Sequence, residues 1–284
     1  MKSTVVFYHS SCPDGFGAAW AAWRKLGNGA QYVPISASQT PDQLEGMRLE
    51  GRKIYFLDVC APAATLKKLA AGNRSVTVID HHRTNGDRGA YVTDFIFDVG
   101  HSGAVLAWKY FHPKVKVPWL LKYIEDYDLW KFSLPHAKEM IPAIHMRPQS
   151  FPAWNGMQKE LERPSERARY YSEGKLLFGY QEGVIRELAD KADLVEFGGK
   201  KVYAINSSAK DLIDRIAHAL YSKRPPFSVV WHESEGKLKV SLRSDGGYDV
   251  SKLATKFPGG GGHKVSAGFT VPIKAKFPWK KAKR

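Results

Sequence analysis

Cysteine is almost missing from this chain: Cys12 and Cys60 are the only two in 284 residues. Disulfide-built secreted domains use more, so a reducing, cytoplasmic setting is expected and each thiol should be free. Long apolar runs are missing as well. None reaches the roughly 18 residues that would read as a membrane span. The opening Met1-Lys2-Ser3 leads straight into a strand pattern, with no apolar leader and no small-residue cleavage site. A membrane partner is not expected. Carboxylates are scarce beside cations, 28 Asp and Glu against 43 Lys and Arg, which leaves a net charge of +15. That excess suits a polyanionic partner such as nucleic acid or nucleotides, with plain solubility as the alternative. There is no internal repeat and no long low-complexity tract. At 43% hydrophobic, the chain can build a substantial core, and its length suits two domains or one large one.

The first third alternates strand and helix patterns. Strand-like runs cover Thr4–Tyr8, Tyr32–Ile35, Ile54–Asp58 and Val76–Asp80. Between them, Phe16–Lys25 has helical composition, Pro41 opens a helix to about Leu49 behind a Thr40 cap, and Pro62–Ala71 makes another. This alternation predicts an α/β protein whose parallel sheet carries helices on both faces. Helices follow at Ser102–Phe111, at Pro118–Asp126 and over Ser165 to about Ala192, with loop and short helix between Pro135 and Pro152. Beyond Leu194 the pattern becomes a smaller α/β block. It has strands at Lys200–Asn206, Phe227–His232 and Lys237–Arg243, and a helix at Ser208–Tyr221.

Chemistry gathers where the first strands end. Asp80-His81-His82 closes one run, Asp58 closes another, and His9, Cys12 and Asp14 follow the first. Open α/β sheets bind ligands at the carboxyl ends of their strands. Carboxylates mixed with imidazole suit a hard or borderline divalent cation, Mn²⁺ ahead of Mg²⁺, and enough donors are present for two ions. A structural zinc-thiolate site would need paired cysteines. Two ions would acidify a bridging water and neutralise oxyanions in a phosphoryl displacement, and Asp58, alone at its strand end, is the natural bridge. In the second block, Gly259 to Gly262 offer unobstructed backbone N–H groups, His263 follows, and Arg243 supplies a guanidinium fork for phosphate. The basic, aromatic stretch Lys274–Arg284 reads either as a base-stacking, phosphate-binding segment or as a solvated tail.

The Asp80-His81-His82 triplet, the upstream Asp58 and the opening His9-Ser10-Ser11-Cys12-Pro13-Asp14-Gly15 resemble the DHH phosphoesterase family. The segment Gly259-Gly260-Gly261-Gly262-His263-Lys264-Val265-Ser266-Ala267-Gly268-Phe269 resembles the signature of its DHH-associated C-terminal domain. The resemblance spans nearly the whole chain in the expected order and is nearest in kind to nanoRNase-like oligonucleotide phosphodiesterases. It implies a DHH catalytic domain over 1–160, a helical linker over 161–194, a substrate-binding domain over 195–273 flanking a cleft, and a basic tail over 274–284.

The resemblance also implies roles. His9 would bind one Mn²⁺ and Asp14 the other, with Asp58 bridging and His81 ligating. Asp80 would orient an imidazole, and His82 would face the scissile phosphate. Asp126 matches the fourth-motif aspartate, with Asp128 a nearby alternative. Cys12 stands where the family usually carries a further aspartate, which weakens the first metal site. Arg243-Ser244 and the run Gly260, Gly261, Gly262, His263 would bind substrate. The implied activity is hydrolysis of short RNA or DNA, or of linear or cyclic dinucleotides, to nucleoside monophosphates. A phosphatase acting on bisphosphorylated nucleotides and a nucleotide-binding protein with weakened catalysis are the alternatives. The sequence leaves monomer and homodimer equally open.

Overall fold

The computed structural model describes residues 2–10, 12–36, 43–274 and 276–283. Its first strands form where β-branched and aromatic residues run together: β1 (Thr4–His9), β2 (Ala30–Ile35), β3 (Lys53–Leu57), β4 (Ser75–Asp80) and β5 (Asp94–Phe97). All pair in parallel in the order β2-β1-β3-β4-β5. Helices α1 (Pro13–Leu26) and α2 (Ala63–Gly72) make the returns that parallel pairing requires. Strand alternation sends Val5 and Phe7 to one face of the sheet and Val6 to the other, so two cores form. One gathers Val5, Phe7, Ile54, Phe56, Val76 and Val78 under Leu66 of α2. The other packs Val6, Leu57 and Ile79 against α1 and four further helices, α3 (Gly103–Phe111), α4 (Trp119–Asp128), α5 (Ala137–His145) and α6 (Phe151–Leu161).

The expected caps and boundaries differ in places. Thr40 and Pro41 lie outside the described residues. The helix expected to reach Leu49 does not continue through Gly46, whose φ of +75° is left-handed and breaks the helical path. The segment 135–152, expected as loop and short helix, holds the nine-residue α5, a loop and the start of α6. β5 had no clear strand signature in the sequence.

The chain divides into two compact units, Met1–Phe178 and Gly179–Arg284. Helix α7 (Pro164–Lys191) runs through the span read as a linker. The second unit is a seven-stranded sheet in the order β10-β11-β9-β8-β7-β6-β12. Its strands are β6 (Asp193–Phe197), β7 (Lys200–Asn206), β8 (Phe227–Ser234), β9 (Lys237–Ser244), β10 (Gly261–Gly262), β11 (Ser266–Pro272) and β12 (Lys280–Lys281). Every ladder is antiparallel except β7–β8, which α8 (Ile213–Lys223) connects. One face packs Val230 against Ile216 and Leu220 of α8 and Ile185 and Ala189 of α7. The other packs Val202, Phe227 and Phe269 against Leu253 of α9 (Val250–Ala254). The segment read as a tail joins this sheet: β12 pairs with β6, and Trp279 packs on Phe197 and Trp231.

Candidate metal centre

Parallel pairing puts the carboxyl ends of β1, β3 and β4 side by side. Tyr8 lies opposite Leu57, and Leu57 opposite Ile79, so the next residue on each strand, His9, Asp58 and Asp80, falls in one row. Asp58 leaves its strand with a φ of 57°, a left-handed conformation that is uncommon for a residue with a side chain. Its buried carboxylate meets His9 Nδ1 at 3.3 Å and His81 Nε2 at 3.2 Å. Asp58 Oδ1 is nevertheless buried with no donor aligned on it. An unsatisfied buried carboxylate oxygen is costly, and it is what a cation ligand looks like before its ion is counted.

Asp14 enters from the first turn of α1 and is fully enclosed. Its Oδ2 accepts from Gly103 N at 2.7 Å and its Oδ1 from Ala104 N at 3.0 Å, so it also closes the N-terminus of α3. Asp128, the last residue of α4, brings Oδ2 to 3.6 Å from His81 Nε2, while Asp14 Oδ2 lies 3.7 Å from the same nitrogen. Three sets of donor atoms thus come within 4.8 Å of one another: His9, Cys12 and Asp58; Asp58, His81 and His82; Asp14, His81 and Asp128. Asp58 and His81 each belong to two of them.

The electrostatics match this crowding. Burial raises the Asp14 carboxyl well above its ordinary range, and the charges of Asp58 and Asp128 add to the effect. Burial and the Asp58 charge push Asp128 up to about 6 against the pull of the histidines. Burial, then the charges of Asp58, Asp14 and Asp128, raise the Cys12 thiol. Burial opposes ionisation of Asp58 too, but the close His81 and His9 rings prevail and hold it below the usual carboxylate range. Burial works against the charge on His81. Its contact with Asp58 and the charges of Asp58, Asp14 and Asp128 outweigh that and lift it to about 10. A divalent cation among these three carboxylates would take the place of the His81 proton, because imidazole ligates as the neutral ring. Donors of this kind fit one or two divalent cations.

Asp80 does not join the donor groups. Its Oδ1 accepts from His81 N, His82 N and His82 Nδ1 at 2.7, 3.0 and 2.7 Å, and its Oδ2 from Asn85 Nδ2 at 2.6 Å. It fixes the turn that presents both histidines and orients the His82 ring. Asp126 corrects the sequence expectation of a ligand. Its Oδ1 accepts from Ser133 N and Oγ and its Oδ2 from Leu134 N, so it organises the loop after α4 instead. Asp128, the alternative the sequence offered, is the aspartate of α4 that stands beside His81. Leu121, Ile124 and Asp128 follow i, i+3, i+7 spacing, and the two apolar members are core residues, so the helical stripe pointed to Asp128. Sequence reasoning also missed Gly103. A Cβ there would meet Asp58 Cβ at 2.5 Å and Asp58 Oδ1 at 2.8 Å. It missed Glu125 as well, whose Oε2 receives Ser102 N at 3.0 Å and lies 3.0 Å from His101 Nδ1, tying the turn before α3 to α4.

In the second unit the expected substrate-binding residues form one neighbourhood. Arg243 lies opposite Ser266 in the β9–β11 ladder, and Ser266 exchanges backbone hydrogen bonds with His263. Arg243 Nε donates to Asp214 Oδ1 at 2.6 Å. Ser244 is buried, and its hydroxyl donates to Tyr248 O at 2.7 Å, a structural use of the group. Gly261 and Gly262 are strand residues opposite Gly268 and Ala267. A Cβ at Gly262 would fall 2.5 Å from Ala267 Cα, and one at Gly260 would fall 2.0 Å from Ala254 O. Close backbone packing therefore requires glycine at 260 and 262, whatever they bind, while a Cβ at Gly261 would meet nothing within 4 Å.

Comparison with known proteins agrees with this architecture. Residues 198–278 match the model of the DHHA1 domain. An uncharacterised protein of Acanthamoeba polyphaga mimivirus is 25% identical over 303 residues, covering 98% of this chain and 70% of that protein. Among solved structures, the DHH domain of a member of a ribosomal protein family superposes with a TM-score of 0.58 at 16% identity, covering 94% of this chain and 82% of that one. RecJ from Thermus thermophilus, solved with Mn²⁺, gives a TM-score of 0.47 at 15% identity, covering 94% of this chain and 49% of that one.

Proposed function

We propose that the chain, whose residues 198–278 match the DHHA1 domain, is a metal-dependent phosphodiesterase of the DHH family. Its substrates on this reading are short oligonucleotides or small linear or cyclic dinucleotides, and its products nucleoside monophosphates. The observation that carries the proposal is the convergence of His9, Asp14, Asp58, His81 and Asp128 in donor groups linked through Asp58 and His81. Divalent cations held there supply Lewis acidity and an acidified water for in-line attack at phosphorus. Mn²⁺ suits a mixed imidazole and carboxylate set better than Mg²⁺. Asp58, the carboxylate shared by two donor groups, would be held in common by two cations. His9 and Cys12 would hold one of them, and Asp14, His81 and Asp128 the other. Asp80 holds the His82 ring by Nδ1, and His82 Nε2 is the nitrogen assigned to a phosphate oxygen. Arg243 and His263, with Gly260, Gly261 and Gly262, are assigned to substrate recognition, where the Arg243 fork suits a terminal phosphate.

The test is hydrolysis of a 5′-phosphorylated dinucleotide, a pentanucleotide, a 20-mer and a cyclic dinucleotide, each with Mn²⁺ and with chelator. Mn²⁺-dependent release of mononucleotides from the short substrates is the expected result. Asp58→Ala should lower that rate by orders of magnitude. A folded Asp58→Ala protein that keeps more than roughly a tenth of the rate, about 1.4 kcal/mol in the barrier, would remove Asp58 from the bridging role. Binding of nucleotide without turnover under every metal would favour a second reading, a nucleotide-binding protein, whose basis is Cys12 in the donor group.

A further inference from the structure

The second unit carries 20 Lys and Arg against 11 Asp and Glu, and its cations divide into two kinds. Lys223 pairs with Asp190 at 2.5 Å, Lys281 with Asp193 at 3.2 Å and Arg215 with Glu182 at 2.5 Å. Lys201, Arg224 and Lys283 do not. Among the described residues, no carboxylate lies within 4 Å of any of their charged groups, although Glu196 is the ladder partner of Lys201. These three side chains surround one pocket of about 360 Å³, whose other lining residues are Leu194 and Tyr203.

The fold builds this arrangement from three elements. Lys201 and Tyr203 are two apart on β7 and so share a face of the sheet. Leu194 on β6 lies directly opposite Tyr203. Arg224 follows α8, and its Nε donates to Lys201 O at 3.1 Å, which fixes the guanidinium at the rim by one nitrogen and leaves the fork to point elsewhere. Lys283 is positioned by the ladder of β12, which continues as Ala282 N donates to Leu194 O at 2.9 Å. Three like charges gathered on one concavity repel one another, and an anion on that surface relieves the repulsion. Leu194 and the half-buried Tyr203 provide an apolar, aromatic floor beside them. Cations flanking an aromatic surface are the elements with which proteins grip a single-stranded nucleic acid, phosphates on the charges and a sugar or base against the ring.

We infer that the Lys201–Arg224–Lys283 pocket is a docking surface for the phosphate backbone of single-stranded nucleic acid. The site uses none of the residues assigned to metal or substrate above and requires no catalysis. It would let the protein hold a strand of RNA or DNA by a contact independent of the one that is cleaved.

The test is fluorescence anisotropy with a 5′-fluorescein-labelled 15-mer of uridine, in chelator so that the probe stays intact, over a salt series starting near 50 mM. The proteins compared are wild type, the triple variant Lys201→Ala/Arg224→Ala/Lys283→Ala, and a control triple variant Lys237→Ala/Lys256→Ala/Lys274→Ala. All the lysines changed are exposed and Arg224 is only half-buried, and far-UV circular dichroism verifies the folds. The pocket variant should bind at least roughly tenfold more weakly at low salt. Its log Kd against log salt slope should be shallower by about 2, from about 0.7 per lost single-strand phosphate contact. The control variant should bind close to wild type. The inference is overturned if wild type does not bind the 15-mer at low salt, if the pocket variant binds like wild type, or if the control variant loses as much. Displacement of the probe by inorganic phosphate as readily as by unlabelled RNA would reduce the pocket to a single-ion site, and it too would overturn the polymer assignment.

Discussion

Gly103 and Cys12 decide how the donors at the metal centre meet. Gly103→Ala puts a methyl within 2.5 Å of Asp58 Cβ, and both residues are buried in fixed backbone. The overlap should cost about 1–3 kcal/mol of stability and displace the Asp58 carboxylate, so urea unfolding and Mn²⁺ titration should both register it. Undiminished Mn²⁺ affinity in a folded Gly103→Ala protein would mean that Asp58 is free to move. Cys12 offers a soft sulfur to a group otherwise made of oxygen and nitrogen. Cys12→Asp should therefore tighten Mn²⁺ binding in calorimetric titration, and equal or weaker binding would place Cys12 outside the ligand set. At this scale the sequence was informative about residue type. His9, Cys12, Asp14, Asp58 and His81 stand out because ionisable groups rarely close apolar runs, and the structure brings all five together. It was silent on Gly103, since a glycine forced by a neighbour's side chain looks the same in a sequence as one in a loose turn.

Helix α4 shows how an element selects among its residues. It ends in two aspartates, and only Asp128 reaches His81, while Asp126 turns back to receive Ser133 and Leu134. Asp126→Ala should leave N–H groups of the following loop without their acceptor and lower stability by roughly 1–2 kcal/mol. Asp128→Ala should change stability little, because it removes a carboxylate that burial and Asp58 already hold in an unfavourable state, but it should weaken metal binding strongly. Thermal melting and metal titration on both variants separate the two roles, and the assignment fails if Asp126→Ala loses metal while keeping its melting temperature. Strands β1 to β4 were legible because each is a short apolar run bounded by turn residues. β5, β6, β10, β11 and β12 were not. Asp94–Phe97 is only half-buried, Gly261–Gly262 is strand by pairing alone, and Lys280–Lys281 has a composition that suggests solvent.

For the whole molecule, the expectation of two α/β bodies agrees with the structure, since each unit closes its own cores. The division between them was hard to read because α7 continues through it without a proline or a loop to mark the boundary. The metal centre belongs wholly to the first unit, and its donors come from positions as distant in the chain as His9 and Asp128. Both cysteines are free, so no covalent link joins those distant segments. A cation gripping His9, Asp58, His81 and Asp128 at once would do so, closing loops of dozens of residues that otherwise regain full freedom on unfolding. Saturating Mn²⁺ should therefore raise the melting temperature of the first unit, by about 2.7 kcal/mol of stabilisation at a hundred times its Kd, and leave the second unit's transition where it was. Scanning calorimetry with and without metal reads this directly, and equal shifts in both transitions would place the cation elsewhere. For this protein a chelator would then act on the first unit as a reductant acts on a cross-linked domain, leaving the native contacts intact and lengthening the free chain between them.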